Sequence, residues 1–133
     1  LGISQLKKLN SFIDKRTKLA ERYKKNLLSR RIQQPTLIDN VKSSWHIYVI
    51  RIKEINLEKK KEIFEYLIHN GIGVNLHYIP IHLHPFYKKL GFSKGQFPES
   101  ENYYEEAITL PIYPSLNFED QNMIINTLLN FNM

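Results

Sequence analysis

The stretch Gly71-Ile72-Gly73-Val74-Asn75-Leu76-His77-Tyr78-Ile79-Pro80-Ile81-His82-Leu83-His84-Pro85-Phe86-Tyr87 constrains the fold of this chain more than any other. It follows a helical pattern, and Gly71 is well placed to close that helix, because glycine takes positive φ at no steric cost. The apolar run after it predicts a strand over residues 72–77. Pro80 then stops the strand, since proline has no amide hydrogen to give a neighbour. Imidazoles and phenols follow in close succession. His77 and Tyr78 therefore stand at the strand's C-terminal edge, where a ligand can approach a sheet. His82, one turn later, is expected to point toward the same mouth.

The residues before this stretch read as its platform. From Ile3 to Leu28, apolar residues recur at Leu6, Leu9, Ile13, Ala20, Tyr23 and Leu27, predicting one long helix with lysine and arginine opposite. Such a helix at the end of a domain suits a bridge to another domain or subunit. The chain begins at Leu1 rather than at methionine, inside that pattern and without a capping residue, so it reads as a piece of a longer protein. Residues 29–44 carry Pro35, Asp39, Asn40 and three serines, and predict a connection with little regular structure. Trp45 to Ile52 predicts a central strand covered on both faces over much of its length, with His46 as a structural histidine inside it. Asn56 caps a helix whose buried stripe is Ile63, Phe64, Leu67 and Ile68. Two strands joined by a helical crossover give an α/β (α+β) fold. The strands are then either parallel neighbours or members of the split βαβ arrangement.

After the stretch, residues 84–90 predict one or two helical turns ended by Gly91. Pro98 suits the first turn of a helix reaching Ala107. Residues 109–112 predict a short edge strand, because Pro111 cannot donate to a ladder. Asn117 caps a last helix that buries Ile124, Ile125, Leu128 and Leu129.

Composition narrows the chemistry. With 133 residues the chain is one domain's worth, and it contains no cysteine, which removes disulfides and thiolate metal sites and fits a reducing cytoplasm. No apolar run approaches the ~20 residues a membrane span needs, and the N-terminus lacks a secretory pattern. The formal charge of +6 permits an acidic partner such as nucleic acid or a phosphorylated small molecule. Yet the basic clusters, Lys59-Lys60-Lys61 among them, fall mostly on outward helix faces and read as solvated surface. His77, His82 and His84 lie close together, but no acidic residue falls between Gly71 and Gly95, so a zinc site lacks ligands. No phosphate-binding glycine loop and no nucleophile elbow is present. Tyr78, Phe86 and Tyr87, interleaved with Lys88 and Lys89, could stack a nucleobase and pair with phosphate; Phe86 and Tyr87 could equally pin the loop to the sheet.

Several segments, taken in order, are distinctive together. They are the run from Leu1 to Leu9, the helix from Lys15-Arg16 to Tyr23, Ser43-Ser44-Trp45-His46-Ile47-Tyr48-Val49, and Gly71 to His82. Phe97-Pro98 with Tyr103-Tyr104, Leu110-Pro111-Ile112-Tyr113-Pro114-Ser115-Leu116 and the closing Glu119-Asp120-Gln121 helix complete the set. The chain resembles the C-terminal domain of the DegT/DnrJ/StrS sugar aminotransferases over nearly its whole length. Within that family it looks most similar to the enzymes that aminate C4 of a UDP-linked 4-keto-6-deoxy-N-acetylhexosamine, as in pseudaminic-acid synthesis. The resemblance implies that residues 1–133 are the small domain of a fold-type-I transferase, a small sheet packed by helices. It also implies that a large domain, absent here, binds pyridoxal 5'-phosphate and carries the Schiff-base lysine. No residue of this chain is then catalytic or cofactor-binding. Substrate contacts fall to His77, Tyr78, Ile79 and His82, and the chain helps to build a homodimer. The partners implied are a nucleotide sugar and glutamate as amino donor, in the cytoplasm, with neither nucleic acid nor membrane. This chain alone is expected to be inactive. The competing class is a free-standing basic module that binds nucleic acid or nucleotide.

Overall fold

Alternation of side chains about one strand organises the structure. In the computed structural model, which describes residues 2–132, strand β2 (Tyr48–Ile52) buries Tyr48, Ile50 and Ile52 on one face and leaves Val49 and Arg51 half-covered on the other. A two-residue period of this kind is what a strand with one fully buried face shows. The expectation of cover on both faces holds in part, the second face being only half-covered. The strand starts at Tyr48, because Trp45 sits at φ 48° and bends the chain ahead of it. His46 lies outside the strand and exposed, so it is not a buried structural histidine.

The sheet has three strands in the order β1-β2-β3. Strand β1 (Ile32–Gln33), inside the segment expected to be irregular, runs antiparallel to β2 with Ile32 opposite Ile52. Strand β3 (Ala107–Leu110) is antiparallel to β2 on the other side, with Tyr48 opposite Leu110 and Ile50 opposite Ile108. The strand predicted over residues 72–77 contracts to a single antiparallel bridge between Asn75 and Thr109. Register explains one end of the contraction. With Asn75 opposite Thr109, Gly73 falls opposite Pro111, which has no N–H to give. Val74 N–H turns back to the Ile72 carbonyl (3.0 Å) and Leu76 N–H is taken by the Asn75 side chain (2.7 Å), on the edge that faces away from β3. Both β2 and the Asn75 segment run opposite to β3, which lies between them. This is the split arrangement; parallel pairing of neighbours does not occur.

The helices follow local signals closely. Helix α1 (Gly2–Leu6) and helix α2 (Leu9–Asn26) replace the single long helix expected, with a turn at Lys7–Lys8. Only the second half of the stripe is buried, at Leu19, Ala20, Tyr23 and Leu27; Leu6 and Leu9 stay exposed. Helix α3 (Leu57–His69) starts where the Asn56 side chain accepts from Lys59 N–H at 2.8 Å. It ends at Gly71, φ 78°, whose amide bonds to Ile68 while Ile72 reaches back to Leu67. Its buried stripe is narrower than the pattern suggested, because Ile63 and Leu67 are covered, Phe64 is half-buried and Ile68 is 49% exposed. A short 3₁₀ turn (Ile81–Leu83), helix α4 (Pro85–Lys89) and helix α5 (Pro98–Glu106) lead into β3. Helix α6 (Phe118–Asn130) is capped by Asn117, which accepts from Asp120 N–H at 2.7 Å.

One core joins α2, α3 and α6 to the buried face of the sheet. Two polar ties cross it. The Gln121 amide of α6 donates to the Leu19 carbonyl (2.8 Å), and the Tyr23 hydroxyl donates to the Pro111 carbonyl (2.8 Å) just beyond β3. Burial, with Tyr48 and Tyr113 nearby, pushes the Tyr23 phenol well above its ordinary range, so it remains a neutral donor. Tyr23→Phe keeps the packing and strands the Pro111 carbonyl. Chemical denaturation should show a loss of about 1–2 kcal/mol with an unchanged m-value.

Candidate functional site

The site begins where β3 anchors the Gly71–Tyr87 stretch. Thr109 exchanges both backbone hydrogen bonds with Asn75 (3.1 and 2.9 Å), and its side-chain hydroxyl lies 2.8 Å from His77 Nδ1. That contact fixes the first imidazole at the sheet edge. The His77–Tyr78 peptide is cis, and the two rings meet edge to face with centroids 4.6 Å apart. From here exposure alternates by residue. Tyr78 and Ile79 face outward at 73% and 43% exposure, Pro80 turns in, Ile81 turns out at 66%, and His82 turns in at 7%.

His82 is therefore not at the mouth with Tyr78. Its Nε2 lies 2.8 Å from Glu101 Oε1, both side chains are almost fully buried, and its ring rests on Phe97 at 4.7 Å. The same carboxylate accepts from Gly95 N–H with both oxygens (2.8 and 2.9 Å) and from Phe97 N–H (3.3 Å). Gly95 sits at φ 94°, a backbone shape that suits glycine and lets its amide aim at the carboxylate. Since an ionised carboxylate only accepts, His82 Nε2 carries the proton in this pair. Burial alone would push the Glu101 carboxyl up; the amides of Gly95 and Phe97 and the imidazole of His82 outweigh it and hold it below its ordinary value. Beside this knot lies a cavity of about 330 Å³ lined by Ile81, His82, Tyr87, Phe92, Phe97 and Ser100, an aromatic hollow open to solvent.

The structure thus brings His77, Tyr78 and Ile79 together and places His82 behind them. Phe86 and Tyr87 lie on α4, ring to ring, with Tyr87 also edge-on to Phe92, so Tyr87 walls the hollow and Phe86 packs on Tyr87 rather than on Tyr78. His84 is exposed, with Nε2 3.3 Å from the Ile79 carbonyl. Among the described residues no three His, Cys, Asp or Glu side chains gather as a metal site would need.

Two buried groups escaped the sequence reading. Glu101 stands on α5, outside the stretch that drew attention. Lys60 belongs to a triplet expected on a solvated face, yet it is 4% exposed between α3 and α5. Its ammonium donates to the Tyr104 carbonyl and lies 4.0 Å above the Tyr104 ring; burial lowers its pKa to about 8, against a smaller upward pull from Glu105. The helix period carries the signal: Lys60 stands three residues before Ile63 and seven before Leu67, on the face that α3 buries.

Comparison with solved structures comes first: the fold is one found in chains described as sugar aminotransferases. It superposes on the putative sugar aminotransferase Spr1654 of Streptococcus pneumoniae in its pyridoxal-phosphate form with a TM-score of 0.91 and 33% identity. That alignment covers 96% of this chain and 33% of the other. The corresponding values for Helicobacter pylori PseC, an aminotransferase of pseudaminic-acid biosynthesis, are 0.87, 32%, 96% and 34%. Among relatives by sequence, the UDP-4-amino-4,6-dideoxy-N-acetyl-beta-L-altrosamine transaminase of Campylobacter jejuni serotype O:2 is 35% identical over 131 residues, 98% of this chain and 35% of that protein. The family profile fits residues 1–129, and the chain belongs to the DegT/DnrJ/EryC1/StrS aminotransferase family. It spans about a third of the length of the relatives it resembles. No helix among the described residues is long and apolar enough to cross a membrane.

The Glu101 knot makes a prediction about acid. A carboxyl held below its unfolded pKa contributes stability that is complete above ~pH 4.3 and is lost as pH falls through its native value. Glu101→Gln cannot titrate. The gap in melting temperature between the native protein and this variant should therefore shrink as pH is lowered from about 5 to about 3; a constant gap would contradict the assignment.

Proposed function

We propose that this chain is the substrate-facing small domain of a pyridoxal-phosphate-dependent aminotransferase that places an amino group on a nucleotide-linked keto sugar. The preferred substrate class is a UDP-linked 4-keto-6-deoxy-N-acetylhexosamine, in the synthesis of a cell-surface glycan. Glutamate serves as amino donor and the working form is a cytoplasmic homodimer. Family membership over residues 1–129 carries this reading, and the exposure of Tyr78 and Ile79 at the sheet edge supports it.

The residues present do not fit the cofactor. Lys60 is the one lysine buried among the described residues, and its ammonium is closed against the Tyr104 carbonyl and ring. Lys60 also borders a cavity of about 320 Å³ lined with Leu57, Lys61, Phe64, Glu65, Leu76 and Tyr104, which has no glycine loop to cradle a phosphate. On this reading the groups that hold pyridoxal phosphate lie in the part of its relatives' length that this chain does not span. That cofactor, when bound, supplies the electron sink for moving the amino group. This chain's own side chains bind and orient. Tyr78 offers a hydroxyl that donates to or accepts from diphosphate or sugar oxygens without a fixed charge, and Ile79 offers an apolar surface beside it. His77 sets the position of both through Thr109.

Two outcomes follow. In the full-length protein, Tyr78→Phe should raise KM for the nucleotide sugar about five-fold, the worth of one hydrogen bond near 1 kcal/mol, with kcat changed less than about two-fold. Unchanged KM in steady-state assays would remove Tyr78 from the substrate. The second concerns the isolated chain. Incubated with pyridoxal phosphate, reduced with borohydride and mapped by peptide, it should show sparse labelling over surface lysines. A single stoichiometrically labelled lysine would place cofactor chemistry inside this domain and contradict the proposal.

A further inference from the structure

We propose that Glu101 is a positioning residue for substrate recognition: its carboxylate, through His82, holds residues 77–81 in the shape that presents Tyr78 and Ile79. This rests on the reading of that pair as the substrate-facing surface. The segment between His77 and His82 makes no ladder bonds and is tied down at its two ends. The first end is the Thr109 hydroxyl on His77, and the second is Glu101 on His82. Between these anchors Tyr78 and Ile79 stand out from the surface. Beyond them the backbone has only a 3₁₀ turn, with Leu83 N–H on Pro80 (2.9 Å) and His84 N–H on Ile81 (3.0 Å), which sets local shape and fixes nothing to the rest of the domain.

Glu101 suits this role by its own support. It projects from α5, which is seated on the half-covered face of β2 by Arg51, paired with Glu106 at 2.8 Å and lying 5.5 Å over the Tyr103 ring. Its carboxylate is occupied by the amides of Gly95 and Phe97 as well as by the imidazole, and it is 5% exposed, so it acts through His82 without touching ligand. The loop before α5 and the turn after the sheet edge are thus fastened at one point. Both form walls of the aromatic hollow beside Tyr87. A side chain that merely stabilised the fold would not need its partner to sit three residues past the exposed pair.

The test uses the full-length protein and UDP-N-acetylglucosamine as the titrant in calorimetry. Glu101→Ala should weaken Kd at least five-fold. Glu101→Gln can keep, at the Oε1 position, the oxygen that accepts from His82 Nε2 and from the Gly95 and Phe97 amides, and should bind within two-fold of the native protein. His82→Ala should cost as much as Glu101→Ala, and the double variant no more than either, because one connection is being cut twice. Losses that multiply in the double variant, or a Kd for Glu101→Ala within two-fold of native, would overturn the proposal. If Glu101→Ala does not fold, His82→Gln against His82→Ala decides. Affinity kept by the donor-bearing glutamine and lost with alanine supports the link, and equal affinities refute it. The variant Tyr78→Phe/Ile79→Ala separates the two levels. If it binds as tightly as native, the surface itself is wrong and this role falls with it. If it binds weakly while Glu101→Ala does not, the positioning role alone fails.

Discussion

Thr109 is held on two sides at once, and the site depends on that. A buried strand must pair its amides and carbonyls, and β3 does so with β2 along one edge and with Asn75 along the other. The second edge receives only one residue's worth of pairing; opposite Gly73 the next position on β3's side is Pro111, which has no N–H to give. The chain is therefore free to leave the sheet immediately after Asn75. The Thr109 hydroxyl takes hold of His77 as it leaves, and the turn, the exposed pair and the return to the interior follow in the next five residues. Remove the pairing at Thr109 and the segment has no fixed origin.

Lys60, His82 and Glu101 are ionisable side chains buried inside this small domain. Glu101 and His82 satisfy each other, and the remaining carboxylate capacity goes to loop amides, which is the condition for burying a charge at tolerable cost. Lys60 is closed between α3 and α5 on similar terms, over an aromatic face and on a carbonyl. Both groups join α5 to something else. The helix is short and has a weak apolar stripe of its own, so polar ties supply much of what apolar contact would otherwise provide.

What could be read in the sequence was local. The Asn56 and Asn117 caps, Gly71 as a helix end, Pro98 at a helix start and the one-sided stripe of α3 are each set by residues within a turn of one another, and all are found. The family resemblance was legible too, because it rests on ordered segments spread over the chain. What could not be read was pairing at a distance. His77 meets Thr109 across 32 residues, His82 meets Glu101 across 19, and Lys60 meets Tyr104 across 44. His82 was expected at the mouth because it follows Tyr78 after one turn; the acid that claims it arrives only after a glycine loop and a helix turn. The strand over residues 72–77 failed for a related reason, since its own residues do not reveal that Pro111 will fall opposite Gly73.

The central claim is that the nucleotide sugar meets this domain at Tyr78 and Ile79, with His82 held behind them on Glu101. A crystal structure of the full-length protein with a UDP-N-acetylhexosamine bound tests it most directly. Tyr78 and Ile79 should contact the ligand while the His82–Glu101 hydrogen bond stays closed. A ligand that leaves both residues in solvent, or that draws His82 off Glu101 to bind it, would contradict the claim.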